Sequence, residues 1–463
     1  MSVNIPQSDK KRVVVAGGGF AGLELISRLK KSNYQVILVD KNNFYQFLPL
    51  IYQVATAGID PSSILFPFRK LFHNRKDFFF RMAEVRAVNV GDKVIQTSIG
   101  KMKYDYLVLA AGSVSNFFGN KNIEKEAIPM KNVQEAMGLR STLISNFERA
   151  LTCASIEERN ELLNIVIVGG GATGVEIAGA LAEMKRVVFP KDYPDMNPNF
   201  LQIYLVEASG RLLSAMSPES SRNAEKYLKG MGVNVLLNTR VDDYSGYVAK
   251  LSDGVEIPTR SFIWVSGVCA TEIKYIDGEH LGRGKRIIVD EYNRVKGLDD
   301  VFCIGDQCLL LDDPAYPNGH PQLAQAAIQQ ANNLANNLRG LGKNKPMKPF
   351  RYNDLGSMAT VGRDKAVAEI GGFEFGGWLA WILWLVVHLK SILGVRNKVM
   401  VLLNWVWNYF TYDRSLRFIV YAKKSRVVKD RERFERKNHQ GQDLFDTKNA
   451  ENAEQLTINN NKV

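Results

Sequence analysis

Along the first forty residues the apolar positions form a short β-branched run, a glycine cluster, a stretch with helical spacing and a second apolar run. In RVVVAGGGFAGLELISRLKKSNYQVILVD, Val13 to Val15 are expected as a buried strand and Gly17 to Gly22 as a turn. Leu23 to Lys30 follow as a helix and Gln35 to Val39 as the next strand. About 150 residues later the unit recurs, with Leu163 to Val168, Gly169 to Gly174, Val175 to Lys185 and Gln202 to Val206 in the same roles. Two such βαβ units predict an α/β protein with two separate doubly wound, Rossmann-like domains. KMKYDYLVLAAGS and RSFIWVSGV, around Trp264, each read as the strand closing one of these folds. VFCIGD, at Val301 to Asp306, supplies a further strand, and a Gln- and Ala-rich helix is expected over Leu323 to Leu338.

From Gly371 the pattern turns aromatic and aliphatic, then basic. Five of the six Trp fall within 30 residues, and Trp378, Trp381 and Trp384 share a helical arc of about 120°. Between Gly376 and Asp430 there are nine Lys or Arg (Lys390, Arg396, Lys398, Arg414, Arg417, Lys423, Lys424, Arg426, Lys429) against Asp413 and Asp430. Indoles beside cations match an amphipathic helix lying in the headgroup plane of an anionic leaflet; a core helix or a subunit interface is the other reading. The longest uncharged apolar stretch, Phe375 to Leu389, covers 15 residues. That is short of the ~18 to 20 a spanning helix needs, so none is expected. Beyond Arg431 the chain is polar and expected to be disordered.

At 463 residues and 46% apolar content the chain has room for about three domains, which excludes disorder of the whole. The formal charge of +12 favours anionic partners. Nucleic acid is disfavoured, because the cations cluster beside Trp and Leu runs and no nucleic-acid motif accompanies them. The first apolar run already carries a glycine fingerprint, so no signal peptide is expected. Four Cys, at 153, 269, 303 and 308, are too few for a disulfide scaffold and suit a reducing compartment. His320 and His388 have no second histidine at ligand spacing, so no metal site is expected.

The chemistry lies in the glycine turns. Gly17 permits the tight turn, Gly19 lets the backbone approach a pyrophosphate, and Gly22 lets helix and strand pack closely. Asp40 ends the second strand, 18 residues after Gly22, where a carboxylate can accept from ribose hydroxyls. Gly169, Gly171 and Gly174 repeat the triad, with Glu207 as the matching acid 33 residues on. A carboxylate there repels a 2′-phosphate, so NADH is expected over NADPH. Two dinucleotide folds in one chain suit a permanently held FAD and a transiently bound NADH, with nicotinamide placed against flavin for hydride transfer.

YDYLVLAAGS, GGGATGVEIAGAL, VFCIGDQ and AQAAIQQ, in this order, resemble the two-dinucleotide-fold flavoprotein superfamily. More narrowly the chain is similar to the type II, non-proton-pumping NADH:quinone oxidoreductases from about Arg12 to Arg417. The resemblance implies that Asp306 bonds the ribityl chain of FAD, that Gly112 belongs to the cofactor-binding set, and that Gly267 lies near NADH. It puts Glu176 near nicotinamide and quinone, and Lys365 near the flavin. FYQFLPLIYQVATAGID lacks the reactive Cys pair of the disulfide reductases, and Cys303 and Cys308 read as ordinary buried thiols, which also argues against sulfide:quinone chemistry. Gln325 and Gln329, four apart, share a helix face, so both amides can meet one small molecule or simply cap a surface helix. The resemblance implies a quinone site there.

The expected organisation is an FAD-binding domain over 1–125 and 291–370, an NADH-binding domain over 126–290, a C-terminal membrane-association region over 371–430 and a tail over 431–463. The expected protein is a peripheral homodimer on the cytoplasmic face of the cell inner membrane, reducing menaquinone or ubiquinone. A soluble NADH-dependent reductase of a protein acceptor and a flavin- and NADH-binding redox sensor are the rival readings.

Overall fold

The structure, a computed structural model, describes residues 2–411 except Tyr275 and Asp277, and residues 416–420. Val13, Val14, Val15, Ile37 and Leu38 have no exposed surface, because their strands are covered on both faces. They belong to a five-stranded parallel sheet ordered Val301–Cys303, Tyr106–Leu109, Lys11–Ala16, Tyr34–Asp40, Phe78–Met82. A second parallel sheet has the order Ile128–Pro129, Ser261–Trp264, Asn164–Val168, Gln202–Val206, Asn234–Leu236. In both, the strand leading into the glycine turn is central, and the chain leaves it in opposite directions on its two sides. That is the topological switch point at which such sheets bind ligands, outside the carboxyl ends of the strands.

Both fingerprint helices start earlier than side-chain spacing suggests. Phe20–Arg28 and Ala172–Glu183 begin directly after Gly19 and Gly171, which act as their N-caps. Turn and helix are one unit, so the first helical amides face the crevice. The first sheet is completed from far along the chain, since Val301–Cys303 pairs with Tyr106–Leu109 and the whole second sheet lies between them in sequence. An antiparallel ribbon, Ser113–Ser115 against Val268–Ala270, ties the two parts together.

At the C-terminal end a three-stranded antiparallel sheet (Ser357–Thr360, Ala366–Ile370, Phe373–Gly376) supports the helix Trp378–Ser391, which is followed by the helix Val395–Thr411. The indole arc turns inward at Trp384 and Trp381, while Trp378 remains exposed. Trp384 is 1% exposed, packed between Tyr52 and His388, while Trp381 stacks on Tyr409 and Trp405 donates to Gln53 Oε1 at 2.8 Å. Burying so large a ring removes a large apolar area from water. The outward face is chiefly aliphatic: Leu379, Val386 and Val387 on one helix and Val399, Leu402, Leu403, Val406 and Phe410 on the next, joined by Trp378 and Trp407. Among the described residues no helix is long and apolar enough to cross a membrane. Lys390, Arg396, Lys398 and Arg417 are described; Asp413, Arg414, Lys423, Lys424, Arg426, Lys429, Asp430 and the 431–463 tail lie outside the described residues.

Candidate dinucleotide and acceptor site

The first crevice is built from backbone. Gly17 has φ +106°, and a Cβ there would meet the Ala110 carbonyl oxygen at 2.3 Å. A Cβ on Gly22 would stand 1.9 Å from the Gly17 carbonyl oxygen, whereas one on Gly19 would meet nothing within 4 Å. The turn is therefore crowded behind and open in front. Asp40 ties it down, Oδ2 accepting from the Gly18 N–H at 2.7 Å and Oδ1 from the Asn42 N–H at 2.7 Å. Burial pushes its carboxyl up, and these two amides hold it down. Gly112, at φ +71° with open space beside it, follows the neighbouring strand. Across from it, Asp306 Oδ2 accepts from Ser113 Oγ at 2.5 Å and lies 3.7 Å from the Lys131 ammonium.

The second crevice repeats this arrangement. Gly169 has φ +115°, a Cβ on Gly174 would meet the Gly169 carbonyl oxygen at 1.8 Å, and Gly171 faces open space. Glu207 takes the part of Asp40: Oε2 accepts from the Gly170 N–H at 2.6 Å and Oε1 from the Ser209 N–H at 2.7 Å. The 33-residue spacing thus still delivers the acid to the turn. Gly267, at φ +83°, follows the adjacent strand.

The helix starts at the crevices carry no side-chain cap, a property shared with the helices beginning at Ile51, Phe68, Phe189 and Trp378. The helices beginning at Lys121, Val133, Ile156 and Pro218 are capped by the side chains of Asn120, Asn132, Ser155 and Ser217. Those beginning at Phe20, Ala172 and Ala324 have no side-chain cap. Uncapped first-turn amides beside an open glycine suit the pyrophosphate of a bound dinucleotide, and an acid at the next strand suits its ribose. Both crevices pass this test of fit.

Between them and the C-terminal unit stands Glu176, on the first turns of Ala172–Glu183. The helix packs closely on the Ser357–Thr360 strand, since a Cβ on Gly179 would meet the Val361 carbonyl oxygen at 2.6 Å. Burial raises the Glu176 carboxyl to about 8, against the pull of the Thr360 N–H and the Trp384 indole. The indole Nε1 faces this carboxyl and, among the described residues, has no partner at hydrogen-bonding geometry. Thr360 and Trp384 also line a cavity of about 130 Å³, shared with Tyr52, Gln53, Trp405 and Tyr409. A dry cavity of ~150 Å³ accommodates one benzene ring. His388 stacks on Trp384 at 3.9 Å, its Nδ1 2.7 Å from the Trp384 carbonyl oxygen, and burial lowers its pKa to about 4.

The glutamine pair is spent elsewhere. Gln325 donates to the Gly356 carbonyl at 3.1 Å and accepts from the Leu355 N–H at 3.0 Å. Gln329 donates to the Asn353 carbonyl at 2.8 Å and accepts from the Asn353 N–H at 3.0 Å. Both amides thus staple the 353–356 segment to the helix, instead of presenting free groups to a small molecule. Their neighbour Gln330, which spacing did not single out, is buried; its Oε1 accepts from the Gly305 N–H at 2.7 Å and so fixes the turn that carries Asp306. Lys365 lies partly buried on the turn between Ser357–Thr360 and Ala366–Ile370. Cys303 and Cys308 are free and fully buried, and the amides of Asn293 and Gln330 donate to Cys308 Sγ. No group of three His, Cys, Asp or Glu among the described residues could hold a metal ion. Ser113, Lys131 and Thr360 left no local signal; contacts distant in sequence bring them to the site, together with Trp384 and His388.

Two equivalent dinucleotide crevices joined by a ribbon define a pyridine-nucleotide oxidoreductase of the flavoprotein type. The family model described as pyridine nucleotide-disulphide oxidoreductase matches residues 11–331, and that of the NDH2 C-terminal domain matches residues 355–412. The chain is 34% identical over 413 residues to the type II NADH:quinone oxidoreductase NdhA of Mycobacterium tuberculosis, covering 86% of each chain. It is 31% identical to the type II NADH:quinone oxidoreductase of Haemophilus influenzae, covering 78% of this chain and 87% of that one. A solved structure of NDH2 from Plasmodium falciparum in complex with NADH shares the fold, with a TM-score of 0.81 at 21% identity over 89% of this chain and all of that chain. The chain belongs to the type II NADH:quinone oxidoreductase family.

Proposed function

We propose that this protein oxidises NADH and reduces a membrane quinone to quinol through FAD, without pumping protons. The observation that carries the reading is the pair of glycine-turn crevices set beside a half-buried carboxyl and an aromatic cavity. Bound FAD supplies a two-electron relay between a hydride donor and a quinone. Gly17, Gly19, Gly22 and the uncapped amides after them seat its pyrophosphate, Asp40 accepts from its ribose, and Gly112 and Asp306 flank the chain leading toward its ring. Gly169, Gly171 and Gly174 seat the pyrophosphate of NADH, with Gly267 beside it, while Glu207 takes the ribose hydroxyls and repels the 2′-phosphate of NADPH.

The aromatic cavity takes the quinone ring. Quinol formation needs protons as well as electrons, and Glu176, mostly protonated at neutral pH, holds one where the quinone oxygen arrives. Lys365 is assigned to the flavin side of the same C-terminal sheet. Gln325 and Gln329 contribute by fixing the 353–356 segment, and they meet a quinone only by releasing it. The aliphatic face of the last two helices, rimmed by Lys390, Arg396 and Lys398, is suited to the anionic cytoplasmic surface of the inner membrane. A homodimer through part of this face belongs to the same reading.

The test is turnover of the purified flavin-loaded protein with NADH or NADPH against a naphthoquinone and a short-chain ubiquinone. Rapid turnover with NADH and at least one quinone is expected. Reduced flavin that persists in excess quinone would instead establish the redox sensor, and turnover only with a protein acceptor would establish the soluble reductase.

A further inference from the structure

Phe118 shows two features that folding alone does not explain. Its backbone lies in the left-handed region at φ 50°, a strained conformation for a bulky residue, and its ring is 67% exposed. Yet the ring has a definite seat. A Cβ built on Gly267 would stand 3.0 Å from the Phe118 ring, and the Trp264 indole meets that ring edge-on at 6.3 Å. The next contact leads to the glycine turn, because a Cβ on Gly169 would lie 2.8 Å from the Val265 carbonyl oxygen and 2.9 Å from Ser266. Contact therefore runs from the turn through Val265–Gly267 to Phe118, across the mouth of the second crevice at its topological switch point.

The seat is held in place by its surroundings. The Phe118 N–H donates to Asn116 Oδ1 at 2.9 Å, the Asn116 N–H donates to the Gly267 carbonyl at 3.3 Å, and Trp264 Nε1 donates to the Asn116 carbonyl at 2.8 Å. Phe118 follows the Ser113–Ser115 ribbon strand, which ties the two parts together, and its ring stands beside Gly267 and Trp264. Backbone strain at a ligand crevice, in a residue whose ring buries little of itself, points to a role beyond packing.

We infer that Phe118 is a gate over the second crevice, and this rests on reading that crevice as the NADH site. The ring lies on Gly267, and a dinucleotide reaches that surface only when the ring swings aside. Ring rotation about exposed side-chain bonds leaves Asn116 and the ribbon in place, so the gate opens without disturbing the flavin side.

The test uses the FAD-loaded protein under nitrogen. NAD+ association is followed by stopped flow, and flavin reduction by NADH through bleaching of the flavin, for the wild type, Phe118→Gly and Phe118→Trp. Glycine accepts the left-handed backbone without strain, so that variant should fold, with flavin stoichiometry and Tm as controls. The expected result is association about threefold or more faster in Phe118→Gly and slower by a similar factor in Phe118→Trp, with reoxidation of dithionite-reduced enzyme by a short-chain quinone unchanged. Association equal to wild type in Phe118→Gly overturns the gate, whatever the tryptophan variant does. A wild-type flavin that NADH does not bleach overturns the underlying reading instead.

Discussion

Two glycines three residues apart illustrate how differently one methyl group acts. At Gly22 the added carbon would lie 1.9 Å from a backbone carbonyl oxygen that cannot move without breaking the turn, while at Gly19 it points into open space. Gly22→Ala should therefore fail to accumulate as folded protein. Gly19→Ala should fold normally, with flavin-free Tm within about 2 °C of wild type, and should bind FAD at least about tenfold more weakly. Flavin retention on dialysis checks both. Glu176 has a raised folded-state pKa, so between roughly pH 4.5 and 8 the folded protein binds more protons than the unfolded chain, and its contribution to stability falls as pH rises through that window. Glu176→Gln should match wild type at pH 5 and melt at least about 2 °C higher at pH 9. The same variant should slow quinone reduction by about tenfold or more while flavin reduction by NADH changes little. Equal slowing of both half-reactions would remove Glu176 from the proton step. Glu207→Gln should narrow the preference for NADH over NADPH, measured as the ratio of kcat/KM values.

At the scale of helices and strands, the pattern reached furthest where structure is local. The two βαβ units, the glycine turns and the carboxyl-terminal acids were legible because each depends on neighbours within about forty residues, and buried β-branched runs admit few alternatives. Side-chain direction was less legible. The indole arc was correctly placed on one helix, but which face meets Tyr52 and which meets solvent depends on a segment more than 300 residues away in sequence. The glutamine pair was likewise seen on one helix face, whereas its partners, the backbone groups of 353–356, come from a loop without a pattern of its own. Each amide removed from that staple should cost about 1 kcal/mol. Gln329→Ala should lower Tm slightly and leave the quinone KM within about threefold of wild type, as steady-state kinetics can check. A large rise in KM with unchanged Tm would return that residue to the quinone.

For the molecule as a whole, the aliphatic face of the last two helices should govern where the enzyme works. Leu403→Glu with Phe410→Glu places two acids on that face, which should abolish cosedimentation with anionic vesicles and leave turnover with a water-soluble quinone within about twofold. Persistence of vesicle binding would mean that another surface carries it. The joining of the two halves has a separate consequence. The first sheet lacks an edge strand until Val301–Cys303 is made, while every strand of the second sheet is complete by Trp264. On the ribosome, the later-encoded half therefore finishes first, and the earlier one waits with an open edge. A nascent chain released before Asp306 carries a nucleotide pocket without its yellow partner, and the open edge marks such a fragment for aggregation or proteolysis.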